Sequence, residues 1–222
     1  MNKINKRNAV PFIFLVISFL ALVASLFFYL GYHYFYGYQK EMTNIKSLEH
    51  DFPRLEKKLK AAIRCYPWPA FQTELGRLYL LRAMAEIEFG RVEKSGEFLD
   101  KARAALGKSI SENPLDYAPF WELSKIYFLY DYPLPIYAST GRNICREAVR
   151  RYPANEFLNL NVLFVFFEQW DLLEPAEKDW VKSRLLELKA ANSGFLDQLK
   201  KKWQQNHGET TTITGRLKEI GL

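Results

Sequence analysis

A predominantly apolar run extends from Ala9 to Leu30 and contains no charged residue. As a helix it is about 33 Å long at roughly 1.5 Å per residue, enough to cross the hydrocarbon core of a bilayer. Pro11 falls in its first turn, where a missing amide hydrogen is tolerated, and Gly31 marks its expected end. Tyr29, Tyr32, Tyr34, Phe35, Tyr36 and Tyr38 follow as an aromatic cluster of the kind that settles among lipid headgroups. A cleaved signal peptide would have its cut near Val23-Ala24-Ser25, but the apolar run continues past the length of a usual signal core. The expectation is a retained transmembrane helix over residues 9–30. Residues 31–54 then form an aromatic belt and the start of a connecting helix.

Beyond the belt the pattern changes to helical amphipathicity. Leu48, Phe52, Leu55, Leu59 and Ala62 make an apolar stripe beside Lys57, Lys58, Lys60 and Arg64, with Pro53 expected in the first turn of a helix that ends at Cys65. Further helices are predicted over Ala70 to Phe89, Phe98 to Ser111, from Phe120 onward, Thr140 to Tyr152, Glu156 to Trp170, from Pro175, and Gly194 to Gln205. Asp131-Tyr132-Pro133-Leu134-Pro135 interrupts the pattern, because two prolines so close cannot sit inside a helix. On the Thr140 to Tyr152 helix, Gly141, Cys145 and Ala148 read as inward, and Arg142, Arg146, Arg150 and Arg151 as a solvated face. The polar run Gly208-Glu209-Thr210-Thr211-Thr212 carries no pattern, so residues 207–222 are expected to be a mobile tail.

One short motif occurs three times. Leu55, Leu59, Ala62 and Pro67 recur as Ala102, Leu106, Ser109 and Pro114, and again as Gly141, Cys145, Ala148 and Pro153. The first three positions of each set share a helical face, and the proline arrives once the helix has ended. Leu75-Gly76-x-x-Tyr79 and Leu123-Ser124-x-x-Tyr127 precede the second and third sets on the helices that would pair with them. This resembles the tetratricopeptide (TPR) repeat, an antiparallel helix pair, over Leu55 to Phe167. The proline spacings of 47 and 39 residues depart from the regular period.

The resemblance implies an all-α fold, a short TPR-like α-solenoid over residues 55–206 behind the single N-terminal span. Mapped onto this chain, the TPR pattern directs Thr73 and Arg77, then Trp121, Lys125 and Phe128, then Leu160, Phe164 and Phe167 toward a concave partner-binding surface. Trp121, flanked by Arg77 and Lys125, is its expected centre, because Phe120 and Trp121 must point about 100° apart on a helix and only Phe120 holds the packing offset.

Charge and composition add limits. The net charge of +6 owes half its value to Lys3, Lys6 and Arg7; with those three removed from 31, the rest of the chain carries 28 basic against 25 acidic residues. No run is dense enough to track phosphates, so nucleic acid is not an expected partner. The basic cluster ahead of the apolar run places residues 1–8 in the cytoplasm and the helical domain outside it. Cys65 and Cys145 are too few for a disulfide framework, and His33, His50 and His207 lie too far apart for metal-ligand spacing. Asn192-Ser193-Gly194 is a helix-breaking turn rather than a nucleophile elbow. Asp131 reads as a turn residue with no catalytic partner in view.

The sequence therefore points to a non-catalytic scaffold, with no cofactor and no metal, fixed in the bilayer through residues 9–30. It would bind protein partners at a cell envelope, on the bacterial periplasmic side, beside a membrane or export assembly. A cytoplasm-facing adaptor is the alternative, and a small enzyme subunit using Asp131 a further one.

Overall fold

The computed structural model describes residues 6–130 and 138–222. The Asp131 to Pro135 interruption lies outside the described residues. Among the described residues, ten α-helices and one 3-10 turn make up the regular structure, and no strand occurs. Contacts divide the chain into two compact units, one ending at Pro114 and one beginning at Leu115.

The first unit contains α1 (Lys6–Met42), α2 (Leu48–Cys65), α3 (Pro69–Glu88) and α4 (Val92–Glu112). Helix α1 does not stop at Gly31. It continues to Met42 because its second half packs along α2, which holds the helical backbone through two glycines. A Cβ at Gly31 would lie 2.9 Å from the Tyr66 Cβ and 3.3 Å from the Ala62 carbonyl oxygen, so only glycine permits this approach. Further along, Glu41 takes Lys58 at 2.5 Å and Arg54 at 3.1 Å. The pairing of 31 with 62–66 and of 41 with 54–58 shows that α1 and α2 run antiparallel. Helix α2 starts at Leu48 rather than near Pro53, because the Ser47 side chain caps it by accepting the His50 N–H.

Helices α3 and α4 form the second hairpin, turned at Gly90, whose φ of 71° suits glycine. A Cβ on Gly76 would meet Leu106 Cγ at 2.5 Å, which is the close approach expected of that position. Tyr79 fills the neighbouring space against Phe98 and Phe52, and its hydroxyl donates to Glu56 Oε1 at 2.6 Å. Where α3, α4 and α2 meet, Glu86 is fully buried between Arg82 and Arg91, and Arg82 also lies over the Phe52 and Phe98 rings.

The second unit contains α5 (Ala118–Tyr130), α6 (Ala138–Arg151), α7 (Glu156–Glu168), a 3-10 turn at Trp170–Leu172, α8 (Pro175–Ala191), α9 (Phe195–His207) and α10 (Thr211–Glu219). Helices α5 and α6 pair antiparallel. Gly141 faces the Phe128 ring, and Tyr117 stacks on Tyr152 with ring centroids 5.4 Å apart. The other helices surround α7, whose Leu158, Val162, Leu163, Phe166 and Phe167 are almost wholly enclosed.

The 207–222 segment is not a loose tail. Gly208 takes the left-handed conformation that ends α9, and α10 then buries Ile213, Leu217 and Ile220 in the core of this unit. The three-fold motif finds a direct counterpart in burial. All nine of its apolar or small positions, from Leu55 through Ala148, are buried, and each set lies on the second helix of an antiparallel pair. The first pair differs from expectation, since its leading helix is the continuation of the apolar N-terminal one.

Candidate functional site

The residues expected on a common docking surface fall in different surroundings. Thr73 is buried in the seam of α3 and α4, where its hydroxyl lies 2.8 Å from Ser109 Oγ and donates to the Pro69 carbonyl at 3.3 Å. Arg77, one turn later, is partly exposed and pairs with Glu74 at 2.5 Å. Both belong to the first unit, whereas the remaining expected residues belong to the second.

On α5, Trp121 and Lys125 do come together: the Lys125 ammonium sits 5.1 Å from the Trp121 ring centroid and also bonds Glu122 at 2.8 Å. Trp121 is half-buried and leans on the core of its unit. Its neighbour Phe120 is also half-buried, with the Arg151 guanidinium 3.7 Å from its ring centroid. Phe128 turns inward against Gly141. Phe164 and Phe167 are core residues: Phe164 packs on Trp203 and His207, and Phe167 stacks on Trp170 with centroids 5.1 Å apart. Leu160 is half-buried against the same core. Thr73, Phe128, Phe164 and Phe167 are therefore packing residues. Thr73 meets Ser109 and Phe164 meets Trp203, partners on other helices that a helical pattern alone does not reveal.

A concave site opens elsewhere, between α6 and α8. It encloses about 790 Å³ and is bounded by Arg146, Arg150, Trp180, Ser183 and Arg184. The arginines come from the helix face that reads as solvated in sequence, and their roles differ. Arg142 is buried against expectation: it donates to Glu177 at 2.8 Å, to Gln169 at 3.0 Å and to the Leu172 carbonyl, fastening α6 to α8. Arg184 is a strut, bonded to Asn159 at 2.8 Å, to Glu187 at 2.5 Å and to the Pro153 carbonyl.

Arg146 lies over the Trp180 ring at 5.5 Å, and Trp180 is backed by Phe166 at 5.0 Å. A guanidinium stacked on an indole keeps its N–H groups in their own plane, where they can grip an oxyanion bidentately. Arg150 projects into water beside Glu147 at 3.3 Å. The groove thus offers one aromatic wall and more positive than negative charge, with three arginines against Glu147 and Glu187.

Cys145 is enclosed between α5 and α6, where burial pushes its thiol up to about 12 against a weaker opposing hydrogen bond from Ser124. Such a thiol stays protonated at neutral pH. Burial likewise raises the carboxyl of Glu168, opposed by the charge of nearby His207 at 3.4 Å. No group of three metal-ligating side chains occurs among the described residues. No protein-family model matches the chain, and no curated protein is similar to it.

Proposed function

We propose that this protein is a membrane-anchored, TPR-like helical scaffold that binds an acidic segment of a protein partner and performs no catalysis itself. The observation that carries the reading is the division of α1 along its length. From Ile13 to Leu30 no residue is buried and the mean hydropathy reaches 2.7, whereas from Gly31 onward the same helix packs into the first unit. An apolar helix bare on every side needs hydrocarbon around it. The three antiparallel pairs, each with its buried motif on the second helix, support the repeat reading. The basic residues ahead of the span favour a cytoplasmic N-terminus and helical units on the far side, at a cell envelope.

Docking is assigned to the groove between α6 and α8 because it combines concavity, an aromatic wall and surplus positive charge. A reporter active only outside the cytoplasm, fused after Leu222, is expected to be active, and the protein should resist alkaline extraction from membranes. In detergent, a glutamate-rich peptide should bind the purified chain and lose about tenfold in affinity on Arg146→Glu, a change of about 1.4 kcal/mol. An inactive reporter with full membrane retention would reverse the topology in favour of a cytoplasm-facing adaptor. Peptide binding untouched by Arg146→Glu but abolished by Trp121→Ala would move docking to α5.

A further inference from the structure

The turn between α2 and α3, Tyr66-Pro67-Trp68-Pro69, sits beside α1 at the level where its bare apolar stretch ends. The Phe28 ring, in the last turn of that stretch, meets the Tyr66 ring edge-on at 5.0 Å. Four residues on, about 6 Å along the helix axis, Tyr32 lies 5.3 Å from Trp68 and 5.8 Å from Phe71. Tyr66 and Trp68 nonetheless keep 37% of their surface exposed.

The N–H groups of this turn make no demand on water. Pro67 and Pro69 have no N–H. The Tyr66 N–H donates to the Ala62 carbonyl at 2.9 Å, and the Trp68 N–H to the Tyr66 carbonyl at 2.8 Å. No backbone donor from Tyr66 to Pro69 needs a solvent partner. Arg64 projects into solvent one turn before, in the last turn of α2.

We infer that the Tyr66 to Pro69 turn is a second membrane contact, lodged in the headgroup layer of the leaflet from which α1 emerges. It rests on the reading of α1 as a transmembrane helix. The occupant of this surface is lipid: Tyr66 and Trp68 present amphipathic rings of the type that settle between hydrocarbon and water, and the Arg64 guanidinium lies within reach of lipid phosphates. The surface is continuous with the apolar exterior of α1 through the Phe28 and Tyr66 contact, so a bilayer that surrounds Phe28 also meets the turn. The first unit is therefore seated on the membrane rather than held above it.

The test uses the full-length chain in vesicles. Cys65→Ser and Cys145→Ser supply a background, and a single cysteine is placed at Trp68→Cys, labelled with an environment-sensitive fluorophore and challenged with lipids that carry a quencher at a shallow or a deep position. Pro67→Cys, exposed in the same turn, is the second variant should Trp68→Cys disturb folding. Phe89→Cys, at the far end of α3, is the control in water, and Leu20→Cys the control in hydrocarbon.

The shallow quencher should act about twofold or more strongly at 67 or 68 than at 89, as expected of an interfacial group. Equal quenching in phosphatidylcholine and in phosphatidylglycerol vesicles assigns the contact to the phosphate common to both; a rise with phosphatidylglycerol assigns it to net headgroup charge. Deep quenching at Leu20 with none at 67 and 68 would overturn this inference and leave the span intact. Absence of quenching at Leu20 would overturn the span and the inference together.

Discussion

Gly76 and Gly141 occupy places where a single methyl group would collide with a side chain of the partner helix, and each tests how firmly its helix pair is closed. At Gly76 the obstacle is Leu106, itself fully buried, so it can yield only by disturbing the seam. Gly76→Ala should lower stability by about 1–3 kcal/mol in urea unfolding, the usual range for overpacking, and Ala148→Trp should do at least as much. An unchanged midpoint for both would show that the seams are looser than their geometry. Arg142 tests a different term. Arg142→Ala leaves Glu177 buried without its cation and should cost about 3–5 kcal/mol, whereas Arg142→Leu combined with Glu177→Leu should cost much less. A double variant as unstable as the single one would mean that Arg142 acts by packing alone.

The nine motif positions were legible from spacing, since residues 0, 4 and 7 on a helix share a face and all of them are buried. Arg142 was not. It sits one turn before Arg146 in a row that reads as solvated, and only Glu177, on another helix 35 residues later, marks it as buried. Trp121 and Lys125, grouped by the TPR pattern, lie four apart on one helix and touch each other. The groove at Arg146 and Trp180 was invisible, because its two walls come from helices separated by the whole of α7.

Among the elements, α10 depends most on its surroundings. A helix of nine residues has little stability alone, so it exists because Ile213 and Leu217 dock into the core and because carboxylates at its two ends take indole hydrogens. Glu209 accepts the Thr212 N–H at 3.0 Å and the Trp203 indole N–H at 3.1 Å; Glu219 accepts the Trp170 indole N–H at 2.7 Å. The Thr212 N–H, followed by the Trp203 indole and the threonine hydroxyls, holds the Glu209 carboxyl down to about 2 from a usual 4.5. Because the folded value is the lower one, this stabilisation is complete above the unfolded value and is lost as pH falls from about 4.5 toward 2.

Tryptophan fluorescence should therefore report loosening of α10 over that acid range, and Glu209→Gln should show much of the same change already at neutral pH with a flatter acid response. An identical acid profile in the variant would remove Glu209 as the cause. The helix was missed in sequence because Ile213, Leu217 and Ile220 follow a run of glycine and threonine, although their spacing of four and three was present to be read. Helix α1 was misjudged in a similar way: Gly31 looks like a stop when its neighbours are considered, and becomes a contact once Tyr66 is brought against it.

For the whole molecule, the proposed anchor decides where everything else can act. Replacing Leu20 and Phe19 by arginines should release the protein from membranes or prevent its insertion, since charge at the centre of a span is disfavoured by about 2.5–3.5 kcal/mol per residue on insertion scales. Fractionation after alkaline washing measures this, and undiminished retention would mean that the span is not what holds the protein. The helix proposed to cross the bilayer is also the first wall of the first unit, without a flexible joint, and Glu41 with Lys58 clasps the two together as far as its end. Bilayers of different thickness set different tilts for a span of fixed length. A unit clamped to that span must lean by the same angle, so the thickness of the surrounding membrane is converted directly into the attitude of this domain, as a needle follows its spindle.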